Sequence, residues 1–223
     1  MVREHFSKQF DTELNGIRVK LLEMGGKVEV MIANAMQSLV ERDTELAVKT
    51  ISFDHEINRL EMEVDEKCLE VLARRQPAAR DLRFITLALK TVTDLERIGD
   101  QCANIAKRSK ELSQEPNLKP YIDLPRMAQA ASDMVKDALD AFVRGDDALA
   151  VKVCQDDQFV DELSEQIQRE LLTSMMSDPS IISRAMKINQ IAKCLERIAD
   201  HATNIAEMLI FMLKGKDIRH TIA

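Results

Sequence analysis

Leu95-Glu96-Arg97-Ile98-Gly99-Asp100 returns later in the chain as Leu195-Glu196-Arg197-Ile198-Ala199-Asp200. Both copies run on to an Asn and an Ile-Ala pair, at Asn104, Ile105, Ala106 and at Asn204, Ile205, Ala206. A second echo, Leu46-Ala47-Val48-Lys49 against Leu149-Ala150-Val151-Lys152, is displaced by three residues more, so one connecting loop differs in length between the copies. Self-similarity at a fixed long displacement marks a tandem repeat of one supersecondary unit.

The unit is helical. Leu14, Ile17, Leu21, Met24, Val28, Met31 and Ala35 advance in steps of three and four, the period of a helix buried along one face. Phe53, Ile57, Leu60, Val64 and Val71 make a second stripe, and Leu82, Ile85, Leu89, Val92, Leu95, Ile98, Cys102 and Ile105 a third. Gly25 and Gly26 interrupt the first stripe without shifting its phase, which predicts a bend or a close backbone contact and no chain reversal. Pro116, Pro120 and Pro125 cluster where the pattern breaks, whereas Pro77 and Pro179 stand alone near the middle of each half and predict a turn between two helices. The expectation is an all-α protein of two tandem three-helix bundles related by an internal repeat, with units at 1–115 and 116–223.

Composition agrees. With 45% hydrophobic and 31% charged residues, 6 Gly, 5 Pro, 1 Tyr and no Trp in 223 residues, the chain is rich in helix formers and poor in turns. The net charge of -7 disfavours general binding to nucleic acid or to an anionic lipid surface. Cys68, Cys102, Cys154 and Cys194 lie far apart, so neither a zinc ribbon nor a dithiol motif is encoded, and free thiols in a reducing compartment are expected. The first residues lack a signal-peptide core, and the apolar run Met208–Leu213 is too short to span a bilayer. A cytoplasmic location is the expectation.

Glu96, Asp100 and Asn104 step by four and share one helix face beside the apolar stripe, and Glu196, Asp200 and Asn204 repeat that row. On the preceding helices, Asp54 and Asn58 step alike, as do Asp157, Asp161 and Glu165. Any one such pair in so charged a chain is ordinarily a solvated face. Hairpin geometry changes the balance. If two antiparallel helices reverse at Pro77, Asp54 falls level with Asp100 and Asn58 with Glu96. In the second half, reversal at Asp178 and Pro179 sets Asp157 level with Asp200 and Asp161 with Glu196. Each unit is then expected to gather four oxygen ligands, Asp54, Asn58, Glu96 and Asp100 in one, Asp157, Asp161, Glu196 and Asp200 in the other. Carboxylates so crowded take up protons or a cation. Hard oxygen donors without thiolates suit Mg, Mn, Fe or Ca ions.

His201 adjoins the second row but is turned about 100° from Asp200 and reads as a surface or packing residue. The twelve methionines suit a bundle core. Arg74 and Arg75 are accounted for as cations at a helix C-terminus. No Gly-rich phosphate loop, His-Glu-x-x-His or Gly-x-Ser-x-Gly is present, and the Glu-x-x-His of di-iron bundles is absent.

Residues 72–83 (Leu72-Ala73-Arg74-Arg75-Gln76-Pro77-Ala78-Ala79-Arg80-Asp81-Leu82-Arg83), Asp94 to Ala106 and Leu195 to Glu207 resemble the PhoU family, the phosphate-transport accessory and regulatory proteins of bacteria. The resemblance spans essentially the whole chain. It implies two three-helix bundles whose Glu/Asp-x-x-x-Asp motifs hold multinuclear metal clusters, matched by Glu96 with Asp100, Glu196 with Asp200 and Asp157 with Asp161. Two positions depart from that pattern: Asn58 stands where an acid is expected, and Ala199 where glycine is usual. What the resemblance implies for function is a non-enzymatic negative regulator of the phosphate-starvation response. Its implied partners are the phosphate transporter ATPase subunit and the phosphate-sensing histidine kinase, with membrane contact only through them. A homodimer is also expected. Two alternatives stay open on the residues alone: a metal-dependent hydrolase or redox enzyme using the same carboxylates, and a purely structural helical oligomer.

Overall fold

A computed structural model of the chain describes residues 2–118 and 121–214. Six helices follow one another: α1 (Val2–Val40), α2 (Thr44–Arg74), α3 (Ala79–Leu112), α4 (Asp123–Arg144), α5 (Asp147–Ser177) and α6 (Ile182–Lys214). A 3-10 turn at Pro179–Ile181 leads into α6. No strand occurs among the described residues. Helices α1–α3 and α4–α6 are the two repeats, as the sequence repeat and the isolated prolines predict. The expected boundary at 115/116 lies in the connection between Leu112 and Asp123, of which Lys119 and Pro120 fall outside the described residues. Pro125 sits in the first turn of α4, where an N–H has no helical partner to lose.

The corresponding turns are built alike. Asp43 and Asp146 cap α2 and α5, accepting the Leu46 N–H at 2.9 Å and the Leu149 N–H at 3.0 Å. The residue before each cap is left-handed, Arg42 with φ 59° in the first unit and Gly145 with φ 66° in the second.

Helix α1 packs on α2, α3 and α4, and α6 packs on α3, α4 and α5. Thus α1, α3, α6 and α4 close a four-helix ring, with α2 lying across α1 and α3 and α5 across α4 and α6. The apolar core is continuous through both repeats. Phe84 of α3 stacks on Phe142 of α4 with centroids 5.5 Å apart, and the Arg18 guanidinium lies over the Phe84 ring at 4.4 Å. Phe84, not the predicted Leu82, is buried at this end of α3; Leu82 is exposed. Gly25 and Gly26 lie in an unbroken α1. A Cβ at Gly25 would come within 2.1 Å of Leu139 Cδ1, so this glycine lets α1 approach α4.

Candidate metal-binding nests on the outer helix pairs

Pro77 follows the end of α2 and starts the reversal into α3, and the same is true of Pro179 between α5 and α6. Each reversal lays the outer helix antiparallel along an inner one. The sequence-predicted residues lie along these helix pairs, with Asp54 within reach of the charge of Asp100 and Asp157 within reach of Asp161 and Asp200.

In the first unit, Asp54 lies over Gly99, where a Cβ would stand 3.6 Å from Asp54 Oδ1. Burial raises the Asp54 pKa, and the charge of Asp100 raises it further. Asn58 donates to Asp54 Oδ2 across a long 3.4 Å. Glu96 is also raised, by burial first and then by Asp100, with Asp54 adding to the effect. In the second unit, Asp157 is pushed up to about 6 by burial and by the charges of Asp161 and Asp200. Burial and the neighbouring Glu196 raise Asp161 and Asp200 as well.

Orphaned oxygens test whether these residues suit a cation. Asp54 Oδ1, Asn58 Oδ1 and Asp157 Oδ1 are buried without a well-formed hydrogen bond, Asp157 having only the Thr203 hydroxyl beside it, which is costly for a carboxylate and is relieved by a positive ion. The donor set therefore fits a hard metal. Among the described residues, no three His, Cys, Asp or Glu side chains are already gathered for coordination, so an ion would have to draw them inward.

Three placements were not foreseen. Glu61, one turn beyond Asn58, belongs to the first nest: burial raises its pKa, followed by the charges of Glu96, Asp65 and Asp100. Its spacing from Asn58 was the readable signal, a step of three where the sequence reading followed steps of four. In the second unit the corresponding residue is Ser164, which is buried and donates to Glu196 Oε2 at 2.6 Å. Glu165 is not in the row. Its side chain is 74% exposed and faces Arg169, because a helix turns 100° per residue and position 164 takes the inner face.

His201 has a definite partner: its Nδ1 lies 2.8 Å from Asp94 Oδ1. The contact joins α6 to α3, and so one repeat to the other. Arg75 clasps Glu13 of α1 through Nε at 3.2 Å and Nη2 at 2.9 Å, which adds a tie between helices to the helix-end role expected of it. The four cysteines are free, all buried but the half-buried Cys154. Burial raises every one of their thiols, Cys68 to about 12 and Cys154 to about 11, so none is poised as a nucleophile.

The PhoU domain model matches this chain twice, at residues 21–109 and 124–209, one match to each nest. The chain belongs to the PhoU family. Its relatives include the phosphate-specific transport system accessory protein PhoU homolog of Pseudomonas aeruginosa, 44% identical over 97% of this chain and 90% of the relative. The accessory protein PhoU of Escherichia coli K12 is 36% identical over 98% of this chain and 91% of that protein. Among solved structures, PhoU from P. aeruginosa superposes with a TM-score of 0.89 at 43% identity, covering 93% of this chain and 100% of that one. The phosphate transport system regulatory protein PhoU from Streptococcus pneumoniae gives 0.87 at 30% identity, covering 93% and 98%. The PhoU repeat therefore coincides with the structural unit here: three helices, one proline reversal and one acidic nest.

Proposed function

We propose that this chain is a non-enzymatic adaptor that restrains the phosphate-starvation response from the cytoplasm, docking on the ATPase subunit of the phosphate transporter and on the phosphate-sensing histidine kinase. The observation that carries this reading is likeness along nearly the whole chain, and nearly the whole of each relative, to proteins named as phosphate transport accessory proteins. The architecture is compatible with docking, since α2 and α5 each leave one long face away from the core. A homodimer belongs to the same reading. No helix among the described residues is long and apolar enough to cross a membrane, so membrane association is assigned to the partners.

Asp54, Asn58, Glu61, Glu96 and Asp100 would hold a cation in the first nest, and Asp157, Asp161, Glu196 and Asp200 in the second. A bound Mg, Mn, Fe or Ca ion supplies positive charge. The protein's own part is to hold the carboxylates on two rigid helices, so that relief of their repulsion fixes α2 against α3 and α5 against α6. Pull-down with the transporter ATPase and with the kinase sensor region tests the adaptor reading. The intact chain is expected to capture both, and Glu96→Ala with Asp100→Ala, or Glu196→Ala with Asp200→Ala, to weaken capture. Failure of the intact chain to bind either partner defeats it.

A further inference from the structure

The two inner helices that meet across the repeats, α3 and α6, enclose a groove at each end of their contact. One, of about 540 Å³, is lined by four cations, Lys107, Arg108, Lys193 and Arg197, against the single carboxylate Glu111. The other, of about 370 Å³, is lined by Lys90, Asp94 and Glu207 among its charged residues. The repeat relates these grooves. Lys107 occupies the position of Glu207, Arg108 that of Met208, and Lys193 that of Thr93. The scaffold is the same at both ends, so it does not dictate the cations, and in a chain of net charge -7 their concentration at one end stands out.

We propose that the basic groove is a binding site for a small molecule carrying two or more phosphate groups. Arg108 is held by Glu111 at 2.8 Å and Lys193 by Glu196 at 2.6 Å. The side chains of Lys107 and Arg197 make no hydrogen bond or close ion pair among the described residues; their charges act at longer range on Asp54 and Glu196, and their donors remain available to an anion. An Arg and a Lys together suit a phosphate chain, the guanidinium gripping two oxygens and the ammonium acting as a point charge. The groove also presents the carboxamides of Asn104, Asn189 and Gln190. Gln101 Oε1, buried and unpartnered at the same wall, offers an acceptor to a ligand hydroxyl. The volume lies within the range of small-molecule sites and exceeds what one inorganic phosphate fills. This site does not depend on the adaptor reading; it borders the metal nests, since Lys193 donates to Glu196 of the second, and the test is therefore run without metal.

Isothermal titration calorimetry of the full chain in EDTA, which removes metal bridging, tests the proposal with inorganic phosphate, pyrophosphate and ATP as probes. Pyrophosphate or ATP is expected to bind more tightly than inorganic phosphate. Lys107→Gln and Arg197→Gln, both at exposed positions, are each expected to weaken that binding about tenfold and to lessen its dependence on salt. Lys90→Gln, in the opposite groove, is expected to leave it unchanged. The proposal is overturned if none of the probes binds at millimolar concentration, if the groove variants bind as the parent does, or if the chain binds anionic vesicles but not the soluble probes.

Discussion

The two acidic nests occupy equivalent helix pairs, yet they are not made of the same residues. The second places Asp161 where the first has Asn58, and the first places Glu61 where the second has Ser164. Each nest thus holds two carboxylates on its outer helix and two on its inner one, with one outer acid moved by a turn. Their electrostatics differ accordingly. Burial works to raise both Glu96 and Glu196, and Glu96 stays raised because its close neighbours are acids. Glu196 ends up lowered, since Lys193 and Ser164 donate to it at 2.6 Å each. The scaffold therefore fixes the number of charges on a helix pair more firmly than their positions, and it leaves the second nest partly neutralised by the protein itself.

The largest effect that would break this comparison is on metal content. With Mn²⁺ in hundredfold excess over its dissociation constant, each occupied nest stabilises the fold by about 2.7 kcal/mol. Asp54→Asn with Asp100→Asn is expected to remove the first share only, and Asp157→Asn with Asp200→Asn the second only, read by elemental analysis and by the metal-induced rise in Tm. Glu61→Gln sharpens the point. It should weaken the first nest as Asp161→Asn weakens the second; an unchanged metal content in Glu61→Gln would show that the displaced acid is not a substitute.

Packing differs between the halves in a compensated way. A Cβ on Gly99 would stand 3.2 Å from Ile57 Cγ2, whereas the second unit carries Ala199 and, at the position of Ile57, the smaller Val160. Gly99→Ala alone overfills the α2–α3 contact and is expected to cost about 1–3 kcal/mol. Ile57→Val alone costs about 1 kcal/mol through lost burial. The double variant copies the second unit, and chemical denaturation should find it more stable than the sum of the two single effects by at least about 1 kcal/mol.

Repeat, helix number and proline reversals were legible because each is written locally: a doubled motif, a 3.6-residue period, a residue that cannot continue a helix. The pairing of Asp54 with Asp100 and of Asp161 with Glu196 followed from antiparallel geometry alone. Glu61 and Ser164 were missed for want of the helix's fractional period. Steps of four drift round the axis, so the reading chose Glu165 over position 164. The His201–Asp94 contact and the closed α1, α3, α6, α4 ring depend on how one repeat sits on the other, and no single periodic stripe encodes that.

A smaller effect concerns protons. Burial and the neighbouring acids push Asp157 up to about 6 in the folded chain, against an ordinary aspartate value of 3.8. Folded protein then carries more protons than unfolded protein between those values, so metal-free stability falls as pH rises through that window. Discounted for partial exposure, the ionised group costs about 1–2 kcal/mol above pH 6. Asp157→Asn is expected to raise metal-free stability at pH 7 by about 1 kcal/mol, the gain shrinking toward zero near pH 4. Asp54→Asn should gain less, because Asn58 already donates to Asp54. Denaturation curves in EDTA at the two pH values measure both. Binding of a metal ion to the second nest is expected to run the other way and to weaken as pH falls below 6, since an ion must displace the proton of Asp157.

The smallest effect lies at the turns before α2 and α5, where the halves solve one backbone problem with different residues. Gly145 adopts its left-handed φ without a Cβ penalty; Arg42 bears that penalty while its guanidinium donates to the carbonyls of Ser113 and Glu115 at the end of α3. A Cβ at Gly145 meets nothing closer than Leu213 Cδ2 at 4.0 Å, so Gly145→Ala isolates the conformational term, about 1 kcal/mol destabilising. Comparing Arg42→Ala with Arg42→Gly isolates it again, since both lose the guanidinium bonds and only the alanine keeps the strain. The glycine variant should be the more stable by about the same 1 kcal/mol. If urea midpoints instead place the two Arg42 variants together while Gly145→Ala loses stability, the turns are not equivalent, and the first one relaxes once its tie to α3 is gone.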